Sequence, residues 1–107
     1  MVRRRFDVFR NRNPKSARTV PYLLLLQSDL LDDLTTQVVV PLVKAGALSG
    51  KPAERLNPAF EVEGQAVLML TQQVGAVATA ALSTRVGHLG HERDTIVAAL
   101  DLLFSGI

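Results

Sequence analysis

VPYLLLLQSDLLDDLTTQVVVPL, residues 20–42, holds two apolar runs separated by a patch of Ser, Asp and Thr. The four leucines after Tyr22 suit a helix or a strand equally well. Short length, Pro21 at the start and turn residues at the far end favour a buried strand. The second run, QVVVPL, is β-branched and reads as another strand, with Pro41 expected to end it. Between them, Ser28, Asp29, Asp32 and Asp33 bond readily to their own backbone. SDLLDDL therefore reads as a tight connection with Leu30 and Leu31 exposed at its tip.

The same reasoning extends outward. Towards the N-terminus, Phe6 and Val8 alternate with polar neighbours, so Arg5–Arg10 reads as a half-buried strand followed by the loop NRNPKS. Towards the C-terminus, residues 44–58 form a long Gly- and Pro-containing loop with room for one helical turn. AFEVEGQAVLMLTQ reads as two strands joined at Glu63-Gly64, where glycine supplies a positive φ. GAVATAALS suits a helix by its alanines, but its small and β-branched residues fit a strand on a crowded face.

The final segment is helical. Ile96, Val97, Leu100, Leu103 and Phe104 recur as one stripe, with His91, Glu92, Arg93, Asp94 and Asp101 opposite. Phe104 is expected to pack into the core with Leu100. Gly106 reads as the helix stop. About five strands followed by one helix, without repeats, describe a mainly β domain with a C-terminal α-helix: a small antiparallel sheet or barrel with the helix against it.

Composition sets the class. The chain has 107 residues, 48% of them hydrophobic and 21% charged, which suits one globular domain, residues 1–107. It contains no cysteine, which excludes disulfides and thiolate chemistry and suits a reducing, cytoplasmic setting. The positive charges at the start lack the apolar run of a signal peptide. Residues 64–84 carry no charge, but the polar side chains and Gly75 within them argue for strands and turns instead of a membrane helix.

Charge is unevenly spread. Residues 1–18 carry seven basic side chains against Asp7 alone, a net of +6, and the remainder nets −4. A basic segment of this kind suits nucleic acid, an acidic peptide or simply a solvated edge strand. No aromatics alternate with the arginines as a base-stacking surface would need.

No catalytic or metal site emerges. His88 and His91 are three apart, but Gly90 interrupts any helix that would align them, and no cysteine or carboxylate cluster completes a shell. GALSGKP has one residue too few between its glycines for a phosphate loop, and Pro52 stands where Ser or Thr would hold Mg²⁺. Ser28, Asp29 and a histidine form a triad only on paper. Glu61 and Glu63 read as a solvated strand face. The apolar end is more informative, because Ile107 lies beyond the Gly106 stop where the helix cannot bury it. Should Leu30 and Leu31 lie nearby, the three would form a binding patch.

LLQSDLLDDL (Leu25–Leu34), VVVPL (Val38–Leu42), LMLTQQ (Leu68–Gln73) and LDLLFSGI (Leu100–Ile107) together resemble CcdB, the toxin family of bacterial toxin–antitoxin modules. The resemblance runs from Phe6 to Ile107. It implies a small, partly open SH3-like β-barrel of the CcdB/MazF type and a homodimer without cofactors or catalysis. The partners it implies are the DNA gyrase A subunit and a neutralising CcdA-like antitoxin, with operator DNA reached only through the antitoxin complex, and no membrane.

By that resemblance, gyrase contacts fall on Phe6, Ser28, Leu30, Leu31, Asp101, Leu103, Ser105, Gly106 and Ile107. Arg10, Arg12, Lys15 and Arg18 are expected to serve the antitoxin. Asp101 stands where the best-known members have asparagine, and Leu103 where they have methionine. Ser105 replaces a tryptophan that stacks on an arginine of gyrase, a contact worth about 1–2 kcal/mol. Two alternatives share the resemblance: an endoribonuclease of the MazF kind, which would need a paired base and cation, and an inactive member that binds only its antitoxin.

Overall fold

The computed structural model describes residues 3–48, 50 and 53–107. Ser49, Lys51 and Pro52, on which the phosphate-loop comparison turned, lie outside the described residues. Seven strands and one helix follow in order: β1 (Asp7–Arg10), β2 (Tyr22–Leu25), β3 (Thr36–Lys44), β4 (Ala59–Val62), β5 (Gln65–Met69), β6 (Gly75–Ala78), β7 (Arg85–His88) and α1 (Arg93–Ser105). The strands form one antiparallel sheet in the order β4-β5-β3-β2-β1-β7, with β6 beside the first half of β3.

The sheet carries seven strands where the sequence suggested about five, and β3 is longer than expected. Pro41 was expected to end the strand, yet β3 runs three residues past it to Lys44. The Leu26 N–H donates to the Val38 carbonyl, so Leu24↔Val40 and Tyr22↔Leu42 are also bonded pairs. Leu23↔Pro41 falls between them, and the proline nitrogen faces away from β2. On that far side β3 changes partner, from β6 opposite residues 36–39 to β5 opposite residues 42–44. Pro41 sits at the changeover, where no ladder needs its missing N–H.

Leucines 23–26 are apolar on both faces because both faces are covered. Leu24 and Leu26 join Val8, Val40, Leu42, Met69, Ile96 and Ala99 in the main core beneath α1. Leu25 joins Phe9, Val39 and Leu82 on the opposite face. The Glu63-Gly64 turn forms as read, with both residues at positive φ (53° and 75°), the geometry of a two-residue hairpin. One helical turn also forms within the long loop, where the Asn57 N–H reaches the Ala53 carbonyl at 2.7 Å.

Three expectations require correction. The first strand begins at Asp7, not Arg5, because Phe6 sits at φ 74°. A bulky residue there is strained. It is held by its own N–H on the Leu25 carbonyl (2.7 Å) and by the Leu89 N–H on its carbonyl (2.8 Å). GAVA, whose residues suited a helix or a strand on a crowded face, is a strand, but its face is open: Gly75, Ala76 and Ala78 are exposed. Phe104 is 74% exposed and does not join Leu100 in the core. The buried helix positions are Ile96 and Ala99, and Phe104 lies about 12 Å beyond Ile96 along the axis. No helix among the described residues is long and apolar enough to cross a membrane.

Candidate functional site

Six large apolar side chains are exposed among the described residues: Leu30, Leu31, Leu34, Val38, Phe104 and Ile107. They fall in two groups, one on the loop entering β3 and the start of that strand, and one at the end of α1. Isolated exposed leucines are ordinary, but adjacent ones mark surfaces that touch something.

The loop is built to hold its leucines out. Asp29–Leu31 form one 3-10 turn, and the Ser28 hydroxyl accepts the Leu30 N–H at 3.2 Å. Leu30 is 90% exposed. Behind the turn, the buried Gln37 amide donates towards the carbonyls of Leu31, Asp32 and Leu34. Gln27 donates to the Leu31 and Thr36 carbonyls and accepts the Val38 N–H. The Thr79 hydroxyl closes the far side on the Leu34 carbonyl at 2.7 Å.

The N-terminal arginines complete the clamp. Arg3 pairs with the Asp32 carboxylate at 3.1 Å and donates to the Asp32 carbonyl at 3.0 Å. The Arg5 N–H donates to Asp29 and its Nε to the Leu26 carbonyl. Two of the seven basic side chains of residues 1–18 are thus tied into this loop. The Arg5 guanidinium also lies 4.6 Å over the Phe6 ring. Phe6 itself is buried in the main core, so its place beside the loop is beneath the surface.

The helix end is simpler. Gly106 takes φ 73° and its N–H donates to the Leu102 carbonyl at 3.0 Å, which closes the helix as read. Asp101, Ser105, Gly106 and Ile107 are exposed, and Leu103 is half-buried. Among the described residues no hydrogen bond or ion pair joins this end to the leucine loop.

The basic candidates divide. Arg10 pairs with Glu63 at 3.2 Å, and Glu63 also accepts the Tyr22 hydroxyl at 2.7 Å. Burial, with the Glu63 carboxylate beside it, raises the Tyr22 pKa above its ordinary value. Glu63 is therefore engaged, unlike the solvated Glu61. Arg12 donates to Ser83. Lys15 and Arg18 are exposed and take part in no ion pair among the described residues. Beside them a groove of about 570 Å³ runs between the Asn11–Ser16 loop and Val77–Ala81 of β6 and its following turn.

One cluster escaped sequence reasoning. Asp7 is fully buried, yet its Oδ1 meets His88 Nδ1 at 2.9 Å and an Arg85 guanidinium nitrogen at 3.3 Å. Its Oδ2 accepts the Arg4 N–H at 2.9 Å. The signal was present, because Asp7 is the sole acid among the first eighteen residues. His88 thus turns to Asp7, and among the described residues no set of three metal-ligating side chains converges.

Comparison with known proteins places this geometry. The model of the family described as CcdB protein matches residues 5–106. The chain belongs to the CcdB family. Its fold is the half-barrel of curled antiparallel strands with one terminal helix, shared with a mycobacterial endoribonuclease at a TM-score of 0.71 and 12% identity, over 94% of this chain and 89% of that one. An Mtb toxin matches at 0.65 and 15% identity, covering 78% and 91% of the two chains. The Mycobacterium tuberculosis toxin MazF-mt6 matches at 0.64 and 15%, covering 78% and 84%. At these identities the likeness is one of fold.

Proposed function

We propose that this CcdB family toxin acts by binding, as a homodimer, to the DNA gyrase A subunit and trapping gyrase on cleaved DNA. The observation that carries the reading is the exposure of Leu30, Leu31 and Ile107, since these are positions that resemblance assigns to gyrase. Ser28 caps the leucine turn, and Gly106 aims the tail. Both therefore work by geometry, while Asp101, Leu103 and Ser105 line the approach to the tail. Ser105 offers a hydroxyl where tryptophan would stack, so gyrase affinity is lower here than in relatives that carry the aromatic.

The homodimer is supported by β6. Among the described residues it pairs with β3 alone and leaves its other edge open. That edge is uncharged and lined by small residues, without the lysines, prolines or bulges that usually protect an exposed edge. A second copy would cover it and gather two tails and two leucine loops around one twofold axis. The antitoxin, CcdA-like and acidic, would meet Lys15 and Arg18, with Arg12 and Arg10 flanking them. Operator DNA would be bound through that complex, and the setting is the bacterial cytoplasm.

The test is a gyrase cleavage assay with purified protein and with a chain lacking Gly106 and Ile107. The truncated chain should stay folded and dimeric while losing tenfold or more of its cleavage-complex yield. Equal yield from the two proteins, or no cleavage complex from either, would overturn the reading.

A further inference from the structure

The gyrase reading uses Leu30 and Leu31 but not the buried Asp7, and a buried carboxylate is unfavourable unless several donors serve it. The backbone already joins β1 to β7, through the pairs Asp7↔His88 and Val8↔Gly87 and the Leu89 N–H on the Phe6 carbonyl. What the carboxylate adds is a connection beyond the strand, to the N-terminal arm Arg3–Arg5. We propose that Asp7 is a positioning residue for the leucine loop. Held from β7 by His88 and Arg85, it fixes the arm that presents Leu30 and Leu31 to a partner.

The contacts run without a gap from β7 to the loop. On one side, Asp7 Oδ1 accepts from His88 Nδ1 at 2.9 Å and from the Arg85 guanidinium at 3.3 Å. On the other, Oδ2 accepts the Arg4 N–H at 2.9 Å, and the Asp7 N–H donates to the Arg4 carbonyl at 2.9 Å. Both backbone groups of Arg4 are therefore tied to Asp7. The residues flanking Arg4 hold two of the loop's carboxylates. The Arg5 N–H donates to Asp29 at 2.6 Å, and Arg3 reaches both the carboxylate and the carbonyl of Asp32. Asp29 opens the leucine turn and Asp32 follows it, so the arm grips both ends.

The local backbone gives the side chain its task. Arg4 to Asp7 form a four-residue turn closed by the Asp7 N–H, and its third residue is Phe6 at φ 74°. Glycine usually takes that position, because a bulky residue there is strained. The Arg4 N–H on the carboxylate adds a second bond across the same turn, which offsets part of the strain. An ionised acceptor suits this task, since charge-assisted hydrogen bonds are about twice as strong as neutral ones. Without the charge the turn relaxes, and the grip on Asp29 and Asp32 relaxes with it. Gln27, Gln37 and Thr79 still hold the loop from behind, so it should loosen without unfolding.

The experiment measures amide hydrogen exchange and gyrase cleavage-complex yield on the same full-length proteins. Asp7→Asn keeps the shape but has a single oxygen, which cannot serve both sides. It should raise exchange at Leu30–Leu34 by roughly tenfold while Ile96–Ala99 of α1 stays within about twofold of wild type. His88→Ala should act in the same direction. His88→Asn, whose amide nitrogen falls at the place of Nδ1, should restore most of the protection. Leu68→Val, in a separate apolar cluster with Val43 and Leu70, controls for general destabilisation and should loosen the loop no more than α1. Should Asp7→Asn not fold, the two His88 variants decide by the same measurement.

Unchanged exchange at Leu30–Leu34, equal loosening by Leu68→Val, or no recovery in His88→Asn over His88→Ala would each overturn the proposal. The consequence for gyrase rests on the gyrase reading, and there cleavage-complex yield should fall together with loop protection. A loop that loosens in Asp7→Asn while the yield stays at wild type upholds Asp7 as the positioning residue and removes the gyrase reading instead.

Discussion

The leucine loop and the helix tail both leave large apolar side chains in water, yet they are held in opposite ways. Leu30 and Leu31 ride on a turn whose carbonyls and N–H groups are taken up by Gln27, Ser28, Gln37, Thr79 and Arg3, with the Arg5 N–H on the Asp29 carboxylate. Ile107 hangs from one left-handed glycine and one backbone hydrogen bond. The loop is a preorganised surface that loses little freedom when it binds. The tail must lose its own freedom at that moment. In a shared interface the loop would supply register and the tail adaptable contact.

The largest effect should come from taking away the loop's buried support. Gln37 is 1% exposed, and its amide ties together from behind three carbonyls that Gln27, Arg3 and Thr79 each reach singly. Gln37→Ala would empty a buried position and withdraw the one donor these carbonyls share, at about 2–3 kcal/mol. Urea unfolding should show the loss, and amide exchange at Leu30–Leu34 should accelerate while exchange in α1 stays near wild type. Uniform acceleration across the chain would show that the loop is not held separately, and the comparison would fail.

A smaller effect is expected at the tail. Gly106 has open space around a Cβ position, so an alanine there meets no clash, only the cost of φ 73°. Gly106→Ala should cost about 1 kcal/mol and fray the last turn of α1, visible as faster exchange at Phe104 and Ser105. The leucine loop should be indifferent to it. If Leu30 and Leu31 also lose protection, the two regions are coupled, and the contrast between them would need to be redrawn.

How far the sequence reveals this arrangement depends on the range of the interaction. The Glu63-Gly64 hairpin and the Gly106 stop are local, since two or three residues carry the whole signal, and both form as read. The exposed tip at Leu30 and Leu31 was legible from the Ser and Asp around it for the same reason. Pro41 was misread because its role depends on which strand lies alongside, a fact of the sheet that no window around residue 41 contains. Phe6 hid its left-handed backbone because the carbonyl and N–H that hold it belong to Leu25 and Leu89. The Asp7–His88 pair is separated by 81 positions, and a lone acid in a basic segment was its only trace. Phe104 had the right phase for burial, but periodicity says nothing of how far along a helix its covered stretch extends.

Phe104 also gives the smallest expected change and the sharpest distinction between stability and association. At 74% exposure, little of its ring is removed from water in one copy of the chain, so Phe104→Ser should alter the unfolding free energy by no more than about 0.5 kcal/mol when measured on monomer. If two helix ends meet around a twofold axis, each copy contributes a ring to the same patch, and one substitution removes both. The monomer–dimer equilibrium, followed by sedimentation across a dilution series, should then shift towards monomer while the unfolding midpoint of the monomer stays put. A dimer that tolerates the change would place the second copy along β6 without the helix end. A monomer destabilised as much as by Gln37→Ala would mean that the ring is buried after all, and the tail would be as firmly built as the loop.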